Sequence, residues 1–103
     1  MEFTTWGLTG TLTTERPADA SFASACLWRV IGDIDAACNR FRADSELSRL
    51  NAKAGSAVRV SAILLAALDA AIASSQATDG LCDPTVLGSL LAWGYDRDYE
   101  LVR

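Results

Sequence analysis

Asp79-Gly80-Leu81-Cys82-Asp83-Pro84-Thr85-Val86 decides how the second half of this chain is read. Asp79-Gly80 should stop a helix, because glycine suits the left-handed residue that follows a last turn. Asp83-Pro84 should start another, as an N-cap followed by proline at the first helical position. Val86, Leu90 and Trp93 then fall on one face of that helix, and Gly94 ends it.

Upstream, Ser61 is a cap for a helix running to about Thr78. Ile63, Leu64, Leu68, Ala71 and Ile72 form its apolar side. Val58 and Val60 flank Arg59 in a short predicted strand. Earlier still stands Phe41-Arg42-Ala43-Asp44-Ser45-Glu46-Leu47-Ser48-Arg49-Leu50-Asn51. Asp44 or Ser45 should cap one helical turn carrying Leu47 and Leu50. Asp19 or Ser21 should cap a long helix to about Arg40. Its buried stripe runs through Ala23, Leu27, Val30, Ile31, Ile34, Ala37, Cys38 and Phe41. Residues 4–13 alternate, with Trp6, Leu8 and Leu12 on one side and Thr9, Thr11 and Thr13 on the other. That pattern predicts a single half-buried strand.

The fold class is therefore α+β, with long helices packed on a small antiparallel sheet. Two strands leave edges open and cover little. Either a further strand is present unrecognised, or the sheet is incomplete and takes strands from a continuation or a partner. The second reading is adopted.

The chain has 103 residues, half of them hydrophobic, and a net charge of −4. The acidic balance argues against nucleic acid or an anionic membrane surface as the main partner. Histidine is absent, which removes Ser-His and Cys-His catalysis and the commonest transition-metal ligand. The most apolar run, residues 62–73, is too short for a membrane span and carries Asp69. No basic-then-apolar leader stands in these residues, which leaves the compartment unknown, with the cytoplasm only as the default. Cys26 and Cys38 lie twelve positions apart on one helix. That separation is about 18 Å, beyond disulfide reach. They read as small core residues. Cys82 sits inside the opening motif.

A carboxylate at a helix start, such as Asp83, ordinarily satisfies free N–H groups. The same place is a natural anion site. Thr85 there adds a hydroxyl donor, and Asp83 an acceptor for ring or sugar N–H and O–H groups. Gly80 lets backbone pass close to a flat ligand. Phe41 reads as core, or as a ring face for a planar ligand.

The order of these strings resembles the N-terminal half of the ApbE-like flavin transferases, the FAD:protein FMN transferases. Members carry an aromatic, usually tyrosine, just before Asp-Ser-Glu-Leu-Ser-x-Leu-Asn; here these are Phe41 and Asp44 to Asn51. A valine-x-valine-serine run follows, met at Val58 to Ser61. Asp-Gly-x-x-Asp-Pro-Thr-Val comes next, met at Asp79 to Val86. Gly94 to Tyr99 looks like the actinobacterial branch. The resemblance spans about residues 4–99.

The resemblance implies part of a larger, T-fold-type domain that binds FAD. Phe41 would contact the flavin, and Leu81, Cys82 and Asp83 would line the FAD site, with Thr85 beside them. Members transfer the FMN part of FAD to a threonine of a target flavoprotein, with magnesium and loss of AMP. Phe41 lacks the tyrosine hydroxyl. Glu2-Phe3-Thr4-Thr5 stands where members carry Met-Gly-Thr. The family's later glycine-rich segment, histidine segment and magnesium ligands are expected beyond residue 103. The chain reads as the FAD-side half of one domain, inactive alone, whose partners are FAD, the target flavoprotein, and either the missing C-terminal half or a second copy. The alternatives are a non-catalytic flavin-binding or scaffold module acting with a second chain, and a degenerate fragment without ligand.

Overall fold

The computed structural model of the chain describes residues 1–98 and 101. Among the described residues the chain is an α+β arrangement of four α-helices and one two-stranded antiparallel sheet. Strands β1 (Glu2–Thr5) and β2 (Leu8–Thr11) pair with Phe3 opposite Gly10 and Thr5 opposite Leu8. The single strand expected over residues 4–13 is thus a hairpin. Trp6 and Gly7 make its turn, with φ of 51° and 75°. Two consecutive positive φ angles reverse the chain with the twist that paired strands need. Period-two alternation cannot register a two-residue turn, so the reversal stayed hidden. The inward residue is Phe3, whose ring meets Trp28 edge-on at 5.7 Å. Trp6 and Leu8, expected inside, are exposed.

A 3-10 turn over Pro17–Asp19 leads into helix α1 (Ala20–Cys38). Asp19 precedes the helix without capping it, because its carboxylate pairs with Arg16 at 2.8 Å. Ala37 is buried on α1, while Val30 and Ile34 of the expected stripe face solvent. Asn39 turns to extended backbone and closes the helix.

Helix α2 (Glu46–Ala52) starts where expected. The buried Ser45 hydroxyl accepts the Ser48 N–H at 3.2 Å. Helix α3 (Ala62–Ala77) starts the same way, with Ser61 accepting the Leu64 N–H at 3.3 Å. Glu46 binds the two helices together: its carboxylate accepts the Ser61 N–H at 2.9 Å and the Ser61 hydroxyl. That pairing draws the Glu46 carboxyl below its ordinary range. The segment between them, Val58–Val60, pairs with no strand among the described residues. The strand expected there is not formed, since an extended trio needs a hydrogen-bonded neighbour to become sheet.

Asp79 and Gly80 stop α3 with φ of 51° and 82°, and the Gly80 N–H returns to the Ser75 carbonyl at 2.8 Å. The next helix does not begin at Pro84. Helix α4 is Leu87–Ala92, preceded by Val86. Asp83 instead turns its carboxylate onto Thr85, which stalls the chain in a local turn.

Helix α1 packs on α2 and α3, and the hairpin lies against α1. Among the described residues only Ala37 and Leu64 are buried hydrophobics. The accessible surface is 7707 Å², against about 5,600 Å² for a compact monomer of this mass. The radius of gyration, 16.3 Å, exceeds the roughly 13 Å of a compact chain this long. Phe22 (75%) and Trp93 (84%) show how much apolar surface stays uncovered. No helix among the described residues is long and apolar enough to cross a membrane.

Candidate functional site

Phe41 leaves α1 two residues after Asn39, whose side-chain oxygen accepts the Phe41 N–H at 2.9 Å. Its half-buried ring meets Tyr95 edge-on, centroids 5.5 Å apart. Tyr95 is delivered by the end of α4, where Gly94 (φ 91°) bends the chain and the Tyr95 N–H returns to the Leu90 carbonyl at 3.0 Å. The Arg40 guanidinium lies over both rings, 4.1 Å from the Phe41 centroid and 4.7 Å from that of Tyr95. Its Nη2 donates to the Tyr95 carbonyl at 2.7 Å.

Trp6 stands across from this pair. Its indole N–H donates to Asp35 Oδ1 at 2.9 Å. Asn39 Nδ2 donates to the same oxygen at 2.9 Å, and Arg42 Nη1 reaches Asp35 Oδ2 at 2.9 Å. Arg42 also engages Asp44 at 3.1 Å. The Trp6 indole first, then Arg42, hold the Asp35 carboxyl below the usual carboxylate range. Between the hairpin tip and the end of α1 lies an open cavity of about 290 Å³, lined by Trp6, Ile34, Cys38, Phe41 and Tyr95 and by the polar Asp35, Asn39, Arg40 and Asp98. Burial raises the Cys38 thiol, helped by the Glu46 charge. The cavity is therefore apolar at heart and aromatic on two sides, a form suited to a flat ring.

The 81–85 turn is a separate surface feature. Leu81 is 91% exposed, and Cys82, Asp83 and Thr85 are exposed as well. The Thr85 N–H and hydroxyl both donate to Asp83 Oδ1, at 2.8 and 2.6 Å. These bonds, the hydroxyl first, keep Asp83 ionised to lower pH than a free aspartate. The Cys82 N–H donates to the Thr78 hydroxyl at 3.0 Å. Among the sequence-predicted site residues, only Phe41 lines the aromatic cavity.

Residues 4–102 match the family model described as the ApbE family. The chain belongs to the ApbE family. No curated protein and no solved structure gives a significant match. ApbE-family proteins are flavin transferases that act on flavoprotein targets. The matched span contains both quoted motifs, and the Gly94–Tyr99 string up to its last residue, Tyr99, which lies outside the described residues.

A flavin's ring system suits the Trp6–Phe41–Tyr95 cavity, with the Arg40 guanidinium at present against the ring faces. Magnesium does not find a fit: no cluster of three or more metal-ligating side chains gathers among the described residues. Trp6, Arg40 and Tyr95 were not singled out by sequence reasoning. The available signals were the Trp6-Gly7 pair, whose glycine marks a turn, and the place of Tyr95 inside the Gly94–Tyr99 string.

Proposed function

We propose that this chain is the FAD-binding portion of an FAD:protein FMN transferase, which moves FMN from FAD to a threonine of a target flavoprotein and releases AMP. The observation that carries this reading is the family match over residues 4–102, with both motif strings inside it. The aromatic cavity at Phe41 supports it, because a flavin needs a flat apolar slot. In this reading Phe41 packs on the flavin. Leu81, Cys82, Asp83 and Thr85 form the second contact region, with Asp83 as acceptor; the Thr85 hydroxyl, which donates to Asp83 Oδ1, serves as a donor to the ligand only after turning away from that carboxylate. Magnesium would supply Lewis-acid chemistry to such a transfer, and none of the described residues is assigned to hold it. Its ligands are assigned to chain beyond residue 103, together with the rest of the domain. The uncovered apolar faces of α1, α3 and α4 support that division.

The test is direct. The full-length protein is incubated with FAD, magnesium and a threonine-bearing flavoprotein target. Covalent flavin on the target is read by in-gel fluorescence and by mass, and AMP is measured beside it. Flavinylated target with matching AMP is expected from the full-length protein, and none from residues 1–103 alone. A folded full-length protein that yields neither product sinks the transferase reading. Flavinylation by residues 1–103 alone sinks the division of the domain.

A further inference from the structure

Two cavities meet beside Phe41. The aromatic one is described above. The other, about 550 Å³, is lined by Arg40, Arg42, Ser48, Asn51, Arg97 and neighbouring residues. Ser48 and Asn51 come from the Asp44–Asn51 string, so that motif faces this second chamber. Asn39, Arg40, Phe41 and Asp98 line both cavities. Arg40 is thus part of the wall between a mainly aromatic and apolar space and a larger, more polar one, where three arginines stand beside Leu87, Leu91 and Leu101.

Three arginines line the polar chamber, and they are held differently. Arg42 is fixed by Asp35 and Asp44, and Arg97 by Asp96. Arg40 makes no salt bridge among the described residues, and its hydrogen bond goes to the neutral Tyr95 carbonyl. Its other contacts are the ring faces of Phe41 and Tyr95, and its charge acts weakly on the Asp96 carboxylate. A guanidinium prefers a phosphate to a carbonyl, because the bonds are charge-assisted and two can form in parallel. Asp96 and Asp98 also line the chamber, so an anion entering it meets repulsion that the Arg40 guanidinium must offset.

We propose that Arg40 is a displaceable partition that selects ligands joining a flat ring to a phosphate. The ring takes the faces that the guanidinium now covers, and the guanidinium turns into the polar chamber and binds the phosphate. This inference rests on the flavin reading above and adds a specificity-determining residue to it.

The probes are riboflavin, which has the ring without phosphate, and FMN, which has both. Each is titrated into the full-length protein and into Arg40→Ala and Arg40→Lys variants, by quenching of flavin fluorescence. Wild type should prefer FMN. Arg40→Ala uncovers the rings, so riboflavin should bind about two- to fivefold tighter. FMN should bind roughly tenfold or more weaker, since a charge-assisted contact is lost. Arg40→Lys keeps the charge without the planar fork and should fall between. Thermal melts of each variant confirm folding, and the Lys variant carries the test if Ala does not fold. If the variants shift riboflavin and FMN in parallel, the partition is wrong while the flavin reading stands. If wild type binds neither probe, the partition falls, and FAD titrated beside them decides the flavin reading, which falls too if FAD does not bind. If the predicted split appears but the full-length protein transfers no flavin, the partition stands and the transferase reading falls.

Discussion

The Trp6 indole N–H donates to Asp35 Oδ1 at 2.9 Å across 29 positions of sequence. This bond ties the tip of the hairpin to the last turns of α1. It also steadies a residue with an unfavourable backbone, since Trp6 has a φ of 51° without being glycine. The same carboxylate receives Asn39 and Arg42, so one side chain organises the mouth of the aromatic cavity.

Asp35→Ala should destabilise the chain by about 1–2 kcal/mol near pH 7, a figure reduced for partial solvent exposure. The Asp35 carboxyl is lowered in the folded state. Its contribution is therefore fully present above the unfolded aspartate value, and is lost as pH falls through the lower folded value. Urea unfolding of wild type and variant at pH 7 and near pH 2.5 checks this. The gap between them should narrow at the acid end. An unchanged gap would mean that packing, not charge, explains the loss.

Gly10→Ala should also destabilise. Gly10 faces Phe3 across the hairpin, and a Cβ built there would lie 2.4 Å from the Phe3 ring. The ring is held from its other side by Trp28, so relief requires moving an aromatic pair. About 1–3 kcal/mol is expected for such overpacking. Phe3→Leu in the same chain should recover part of the loss, and thermal melts of the double-mutant cycle measure the coupling. Independent, additive effects would show that the ring swings aside freely.

Residues 1–103 by themselves should self-associate or, on the proposed division of the domain, bind a chain that supplies its other part. Their surface exceeds that of a compact monomer by about 2,000 Å², and Phe22, Leu65, Ile72 and Trp93 contribute to it. Large apolar side chains left exposed together mark an interface. Light scattering with a hydrophobic dye is the measurement. A clean monomer that unfolds cooperatively and binds no dye contradicts the expectation.

Asp83→Ala in the full-length protein should weaken FAD binding roughly 10- to 150-fold, by loss of a charged acceptor. Its stability effect should be small, because Asp83 supports a local turn with Thr85 and no helix start. Phe41→Leu should weaken FAD too, while Phe41→Tyr should match or exceed wild type. Fluorescence titration with parallel melts separates binding from folding. If Asp83→Ala leaves FAD affinity intact, Asp83 is a turn residue and the 81–85 contact region is misassigned.

The elements legible from sequence were those closed by neighbours in sequence. Ser45 and Ser61 cap α2 and α3 by accepting an N–H three residues on. Asp79-Gly80 stops α3 through a bond to Ser75. Such bonds depend on residue type and spacing alone, so the letters determine them. The ordered motif strings likewise carried the family membership. Asp83 shows the limit of even this local reading: two local uses were open to its carboxylate, and the turn with Thr85 took it instead of the cap. Tertiary structure decided the rest. Trp6 holds a left-handed turn because Asp35 waits on another element. Val58–Val60 stays out of the sheet because no strand among the described residues lies beside it. Phe41 gains its cavity from Trp6 and from Tyr95, far before and far after it in the chain. A ring contact between distant segments has no spacing rule, and it exists only once the helices have packed and brought the two ends of the motif set together.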